Sequence, residues 1–188
     1  MSRLWLASGS PRRRELLQAL GYDFDARPTG IDETRRLGDD PVAHAQRLAV
    51  DKAAAADAVA GQIVLAADTV VHTDDDIYDK PVSRDEARAH LRALSGRWHA
   101  VTTGVCVRSR EAVDAFTVST RVRLRGLLDS EIDRYLATGD ADDKAGAYGI
   151  QSGGGVFVAE LVGSWTNVVG LPLEPTIAAL ARAGVERA

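Results

Sequence analysis

This chain offers little from which to build a disulfide scaffold, a thiolate metal cage or a membrane span. Its single cysteine, Cys106, among 188 residues rules out an intrachain disulfide and a cysteine-built zinc site, and agrees with a reducing cytoplasm. No apolar run approaches the roughly 20 residues that a membrane helix needs. The apolar stretch Leu4 to Ala7 near the start is too short for a secretory signal, so a cytoplasmic protein is expected. Positive charge is not in excess either: 23 Lys and Arg against 27 Asp and Glu leave a net charge of -4. Without a global basic field, long nucleic acid is not an expected partner, and positive charge must act locally on a small anion. There is no G-x-x-x-x-G-K-[ST] loop, no internal repeat and no low-complexity linker. With 45% apolar residues the chain can bury a core, as one large domain or as one sheet folded into two lobes.

What is present is a mixed helix and strand pattern organised around residues 4 to 17, LWLASGSPRRRELL. An apolar strand runs through a tight turn into a helix with Ser10 placed as N-cap and Pro11 as its first residue. Arg12 and Arg13 then fall in the first turn, which already carries the positive end of the helix dipole. That placement is unfavourable by ~0.3 to 1 kcal/mol per exposed cation, and a bound phosphate reverses its sign. Helical spacing aligns Arg13 with Leu16, Leu17 and Leu20, so at least one guanidinium is expected to point inward. The alternative is three solvated arginines.

Downstream, the first helix is expected to end near Gly21, followed by a short strand at 23 to 27. Pro28 to Asp40 reads as a loop carrying Asp32 and Glu33. Pro41 to Ala60 reads as a helix with one apolar stripe shared by Lys52, which is either a snorkelling stem or a cation aimed into a site. Ile63 to Ala67 has the pattern of a central strand covered on both faces. Asp68 then sits at its carboxyl end, the ligand edge of an open α/β sheet, unless it merely caps a turn. Strand continues to Thr73, turns at Asp74 to Asp76 and returns over Ile77 to Lys80, where Pro81 keeps Lys80 extended. Ser83 to Ser95 is a helix with a Ser83 and Glu86 capping box. Two long strands follow at 97 to 107 and 112 to 124, and His99 is expected to be a satisfied strand histidine. A helix capped by Asp129 or Ser130 and stopped by Gly139, a strand at 156 to 161 and a helix at 172 to 183 complete the chain. Residues 140 to 155, DADDKAGAYGIQSGGG, show neither period and read as a loop that is either functional or disordered. Its glycines would let backbone approach a ligand, with Lys144, Tyr148 and Gln151 supplying charge, stacking surface and hydrogen bonds.

Arginines at a helix start, lysines at 52 and 80 and carboxylates at 33 and 68 form a mixed-charge set. Its natural filling is phosphate together with a hard divalent cation. No His or Cys cluster competes with that choice. Phosphoanhydride hydrolysis needs this set and no covalent nucleophile, because positioning and charge stabilisation supply most of the acceleration. Spacing alone goes no further than an enzyme acting on a phosphate ligand.

Eight segments in order, LASGSPRR at 6 to 13, TGIDE at 29 to 33, RLAVDKA at 47 to 53, AADTVV at 66 to 71, DKP at 79 to 81, LSGRWHAVTTGV at 94 to 105, DKAGAYGIQ at 143 to 151 and NVVGLPL at 167 to 173, resemble the Maf family of nucleoside triphosphate pyrophosphatases. The resemblance covers almost the whole chain and implies a single domain over residues 1 to 188. It implies an α/β fold similar to inosine triphosphate pyrophosphatases: a long twisted mixed sheet with flanking helices, in two lobes around a cleft. The implied reaction takes a nucleoside triphosphate to its monophosphate and pyrophosphate with a divalent cation, Mg2+ or Mn2+, in a homodimer. By the same resemblance Asp68 is the proton acceptor, Glu33 assists through the metal or the water, and Ser8, Arg12, Arg13, Lys52 and Lys80 line the triphosphate. Asp68 and Glu33 are accordingly the implied metal ligands.

Arg12, Thr69 and Gln151 match the family's pyrimidine type, which implies dTTP and UTP as substrates. A neutral glutamine amide can pair with both the carbonyl and the N–H of a uracil-like edge, whereas a carboxylate would repel two carbonyls. Departures from the family pattern are Asp79 for a glycine before Lys80, Ser152 for a glycine after Gln151, and Trp165 for a tyrosine. Two other functions remain open at this point, removal of modified purine triphosphates and nucleotide-dependent regulation of cell division without turnover. Against the second, a pure binder has no use for carboxylates beside a polyanion.

Overall fold

The computed structural model describes residues 3–35 and 40–187, so part of the loop expected at 28 to 40 lies outside the described residues. Its strands are β1 (Leu4–Leu6), β2 (Phe24–Ala26), β3 (Ile63–His72), β4 (Ile77–Tyr78), β5 (Trp98–Arg108), β6 (Val113–Leu124) and β7 (Val158–Val162). The helices are α1 (Pro11–Ala19), α2 (Pro41–Ala54), α3 (Arg84–Leu94), α4 (Asp129–Leu136), α5 (Trp165–Val169) and α6 (Leu173–Arg182). Among the described residues the strands form one 7-stranded sheet in the order β2-β1-β3-β5-β6-β7, with β4 paired to β3. Strand β1 runs parallel to β2 and β3, while the β3–β4 and β6–β7 pairs are antiparallel. The expected mixed α/β architecture with flanking helices is therefore the observed one. No described helix is long and apolar enough to cross a membrane. The chain groups into two compact units, the first comprising Met1–Asp68, Thr103–Val118 and Gly170–Ala188, the second Thr69–Thr102 and Ser119–Val169.

In the first unit, strand alternation sorts the side chains onto two faces. Leu4, Leu6, Ile63, Leu65, Ala67, Val105 and Val107 meet Leu17 of α1 and Ala179 and Leu180 of α6. Trp5, Ala7, Val64, Ala66 and Cys106 meet Ala49, Ala53 and Ala56 of the α2 segment. A run such as Ile63 to Ala67 is apolar throughout because both of its faces are covered, as expected. The Asp40 carboxylate starts α2 by accepting from the Val42 and Ala43 N–H groups at 2.9 and 3.0 Å. That helix stops at Ala54, six residues short of the expected Ala60. Val59 lies 53% exposed, so nothing rewards continuing the stripe, and the Arg108 guanidinium takes the Ala56 carbonyl at 2.7 Å.

The second unit is built on Val71, Tyr78, Leu91, Leu94, Val101, Val122, Leu124, Ile132 and Phe157. Ser83 caps α3 by accepting from Glu86 N–H at 3.1 Å, but the Glu86 carboxylate reaches back to the N–H of Val82, not of Ser83. Helix α4 begins from Leu128, ahead of the expected cap, because Glu131 accepts the Leu128 N–H at 3.0 Å. Helix α5 has no clear period in the sequence and was not expected.

The glycine-rich segment departs most from expectation. The Asp140 carboxylate accepts from the Tyr135 hydroxyl at 2.8 Å and the Ser152 hydroxyl at 2.7 Å, and pairs with Lys144 at 3.2 Å. Tyr135 in turn accepts the Gly149 N–H at 3.2 Å. A Cβ on Gly154 would lie 2.8 Å from the Gly149 nitrogen, and one on Gly155 2.5 Å from the Ile150 oxygen. These glycines let the segment pack on itself. Lys144 pairs with Asp140 and Asp143, and Tyr148 is buried, so the charge and stacking surface expected of them are directed within the protein.

Tyr148 instead partners His99, whose Nε2 lies 2.7 Å from the phenol oxygen, while Nδ1 has no side-chain hydrogen-bond partner among the described residues. The expected satisfied strand histidine thus has Tyr148 as its side-chain partner. Burial first, then repulsion from His72, pushes its pKa from 6.5 down to about 4. The unfolded chain takes up this proton near pH 6.5, the folded chain only near 4. Stability is accordingly complete above that upper value and falls with decreasing pH, by about 3 kcal/mol over the window. His99→Gln should flatten the pH dependence of Tm between those limits. An unchanged slope would assign the acid sensitivity to other groups.

Candidate active site

Two periodicities converge in the first unit. Alternation along β3 puts Asp68 on the same face as Val64 and Ala66, the face that α2 covers. Helical spacing puts Lys52 on the buried side of α2 beside Leu48, Ala49 and Ala53. The Lys52 ammonium therefore meets Asp68, with Nζ 2.7 Å from Oδ1, and it also reaches Glu33 Oε1 at 2.9 Å. Lys52 and Asp68 are buried, whereas Glu33 is exposed. Of the two roles open to Lys52 from the sequence, the structure shows the cation aimed into a charged cluster. What it holds here is a pair of carboxylates.

Asp68 is not at the end of its strand, since β3 runs on to His72. The strand that ends is β1. Its pairing with β3 stops at Leu6 against Leu65, followed by an Ala7 N–H to Leu65 carbonyl bond of 2.8 Å. Asp68 lies three residues beyond that last pair, so it faces the gap that β1 leaves as the chain turns toward α1. The expectation that Asp68 ends its own strand is therefore corrected: it stands beyond the end of β1, in the middle of β3.

At the start of α1, Arg13 is the inward guanidinium. Its Nε donates to the Gly170 carbonyl at 2.7 Å and its Nη1 to Ser8 Oγ at 3.1 Å. Ser8 Oγ also accepts the Ser10 N–H at 3.2 Å, and Arg12 is half-buried while Arg14 is exposed. Ser10 occupies the N-cap position but its side chain makes no capping bond, and the first turn holds no acid. The positive end of α1 is thus left uncompensated by its own side chains. Burial pulls the Arg13 pKa down, opposed first by attraction to Asp68 and more weakly by Glu33. An arginine so placed keeps its proton. Ser8, Arg12, Arg13, Glu33, Lys52 and Asp68 all belong to the first unit.

The remaining expected residues belong to the second unit. Thr69 follows Asp68 along β3 and is half-buried, while Lys80, two residues past β4, and Gln151 are exposed. Two contributors were not anticipated. The Gly170 carbonyl that anchors Arg13 is backbone and leaves no trace in a side-chain pattern. Gly104 could have been suspected, because a glycine inside the strand-forming run Val101 to Val107 marks a close backbone approach. A Cβ there would sit 2.5 Å from the Ala45 carbonyl carbon and 2.7 Å from the Gln46 nitrogen of α2.

The donor set fits a hard divalent cation that brings part of its own shell. Asp68 and Glu33 already share one cation, and no group of three or more His, Cys, Asp or Glu residues suited to a metal occurs among the described residues. Two protein carboxylates completed by phosphate oxygens and water are the usual environment of magnesium in phosphate chemistry, in contrast to an all-protein cage.

The family model described as Maf-like protein matches residues 3–183. A dTTP/UTP pyrophosphatase of Chromobacterium violaceum is 47% identical over 98% of this chain and 96% of that protein. Another, from Anaeromyxobacter dehalogenans, is 51% identical over 97% of this chain and 94% of its own length. Among solved structures, a HAM1 protein from Coxiella burnetii aligns with a TM-score of 0.45 and 18% identity over 66% of this chain and 73% of that one. That structural likeness is too loose to bear on the site. The near-complete match to the family model, and relatives of about half identical sequence along the same span, establish that this chain belongs to the Maf family.

Proposed function

We infer that this protein hydrolyses dTTP and UTP to the monophosphate and pyrophosphate. The observation that carries the chemistry is the Lys52 ammonium held between Asp68 and Glu33, in the electrostatic field of the buried Arg13. The names of its close relatives support the substrate. In this mechanism a water oxygen attacks the α-phosphorus, the bond to the bridging oxygen breaks, and pyrophosphate leaves with the electron pair. Asp68 takes the proton of the attacking water, and Glu33 helps to orient it. Arg12, Arg13 and Ser8 at the start of α1, together with Lys52 and Lys80, bind the triphosphate oxygens and stabilise the charge that moves onto the leaving group. A bound Mg2+ or Mn2+ on Asp68 and Glu33 would add charge neutralisation at the phosphates.

Thr69, Gln151 and Arg12 are assigned to recognition of the pyrimidine. The Gln151 amide both donates and accepts, as the uracil edge requires. The chain is read as a single catalytic domain over residues 1 to 188, working as a homodimer in the cytoplasm, a setting compatible with the buried free thiol of Cys106. Product identification with magnesium and dTTP tests the reaction: monophosphate plus pyrophosphate is expected, and release of orthophosphate alone, or no product, would overturn it. For the base, kcat/KM on dTTP, UTP, CTP, ITP and 7-methyl-GTP should rank dTTP and UTP first. Gln151→Glu should lose ~1 to 3 kcal/mol of that preference, one hydrogen bond's worth, and a purine leading the native ranking would refute the assignment.

A further inference from the structure

Between Asp68 and Glu33 the structure places a cation that belongs to the chain. Lys52 Nζ sits 2.7 Å from one carboxylate and 2.9 Å from the other, at the end of a stem on the buried face of α2. A divalent ion bound by both carboxylates needs an oxygen of each at about 2.0 to 2.1 Å for magnesium. Ammonium and metal cannot share that place, because each would sit within contact distance of a like charge. Asp68 Oδ1, moreover, accepts a hydrogen bond from Nζ, so the lone pair it turns toward Glu33 is engaged by the ammonium.

We propose that Lys52 is the resident counter-cation of the Asp68 and Glu33 pair, and that divalent metal and nucleotide bind as a coupled pair because the triphosphate draws Lys52 away. This rests on the pyrophosphatase reading given above. Without a nucleotide the acids are neutralised from within, so they neither collect a metal nor activate water. With one, the lysine exchanges two carboxylates for phosphate oxygens, and the pair is released to the metal and the water in the same event. Linkage then requires each ligand to raise the affinity of the other by the same factor.

The test is Mn2+ binding to the protein alone, followed by electron paramagnetic resonance. Native protein and Lys52→Arg should bind weakly, and Lys52→Met should bind about tenfold or more tightly, the size of an ordinary coupling between sites. Adding Glu33→Gln to Lys52→Met should abolish the gain, which locates the ion at this pair. Equal affinity in native protein and Lys52→Met, or a gain that persists in the double variant, would overturn the proposal. Should Lys52→Met fail to fold, anomalous scattering from native crystals soaked in Mn2+ without nucleotide decides the matter. Lys52 should remain between the acids, and an ion in its place would refute the idea. Pyrophosphate release from dTTP by the native protein is assayed in parallel. Its failure would count against the enzyme reading, while the metal affinities report on Lys52 independently of turnover.

Discussion

Asp68→Asn is expected to lower turnover of dTTP about 10²- to 10⁴-fold, the range for loss of a group that moves a proton in the transition state. The substitution keeps the size of the side chain and an oxygen that can still accept from Lys52. Glu33, 2.9 Å from the ammonium, remains as its counter-charge, so the cluster is not left with a buried cation and no partner. For this reason the fold should persist and Tm should move little. Loss of a transition-state group lowers kcat and kcat/KM together. A defect in substrate holding raises KM instead. Near-native kcat in this variant would remove Asp68 from the chemistry and leave it as the partner that orients Lys52.

Gly104→Ala should be the most damaging change outside the charged cluster. The added methyl group would meet three backbone atoms of Ala45 and Gln46, which no side-chain rotation can relieve, so α2 must move away from β5. Overpacking of this kind costs about 1 to 3 kcal/mol, which for a chain of this size is a fall in Tm of about 3 to 10 °C. Helix α2 carries Lys52 about two turns beyond Ala45, so the shift also moves the ammonium from the place where it is proposed to meet the triphosphate. Misplacement by about 1 Å can reduce kcat/KM by about 10²-fold. Gly126→Ala is the control, since a Cβ there meets nothing within 4 Å. If Gly104→Ala loses stability but keeps native kcat/KM, then α2 tolerates displacement and Lys52 is positioned by its ion pairs alone.

The elements were legible where local chemistry decides them. Asp40 and Ser83 cap helices with their own side chains, Gly21, Gly96 and Gly184 take positive φ at helix ends, and the alternation of Thr120, Val122 and Leu124 matches their burial. Expectations failed where a partner distant in sequence sets the outcome. The α2 stripe continues on paper to Val59, yet the helix stops because no surface covers that residue and Arg108 takes the carbonyl at its end. Within residues 140 to 155, Asp140 and Tyr135 gather Lys144, Ser152 and the Gly149 N–H inward and leave Gln151 exposed.

By itself, the sequence determined which residue types are available for chemistry: arginines in the first turn of a helix, a lysine on an apolar helix face, and an aspartate following an apolar strand. It also determined the period that orients each one, because strand and helix repeats follow from backbone geometry and the burial of apolar side chains. The tertiary structure alone decided whom those groups meet. Lys52 and Asp68 are 16 residues apart and Arg13 and Gly170 157 apart, and pairing over such separations depends on how α2 and the segment before α6 pack on the sheet. Local propensity carries no term for that packing. Only the folded chain therefore shows that the lysine holds both carboxylates, and that a glycine in β5 lets its helix come close enough to do so.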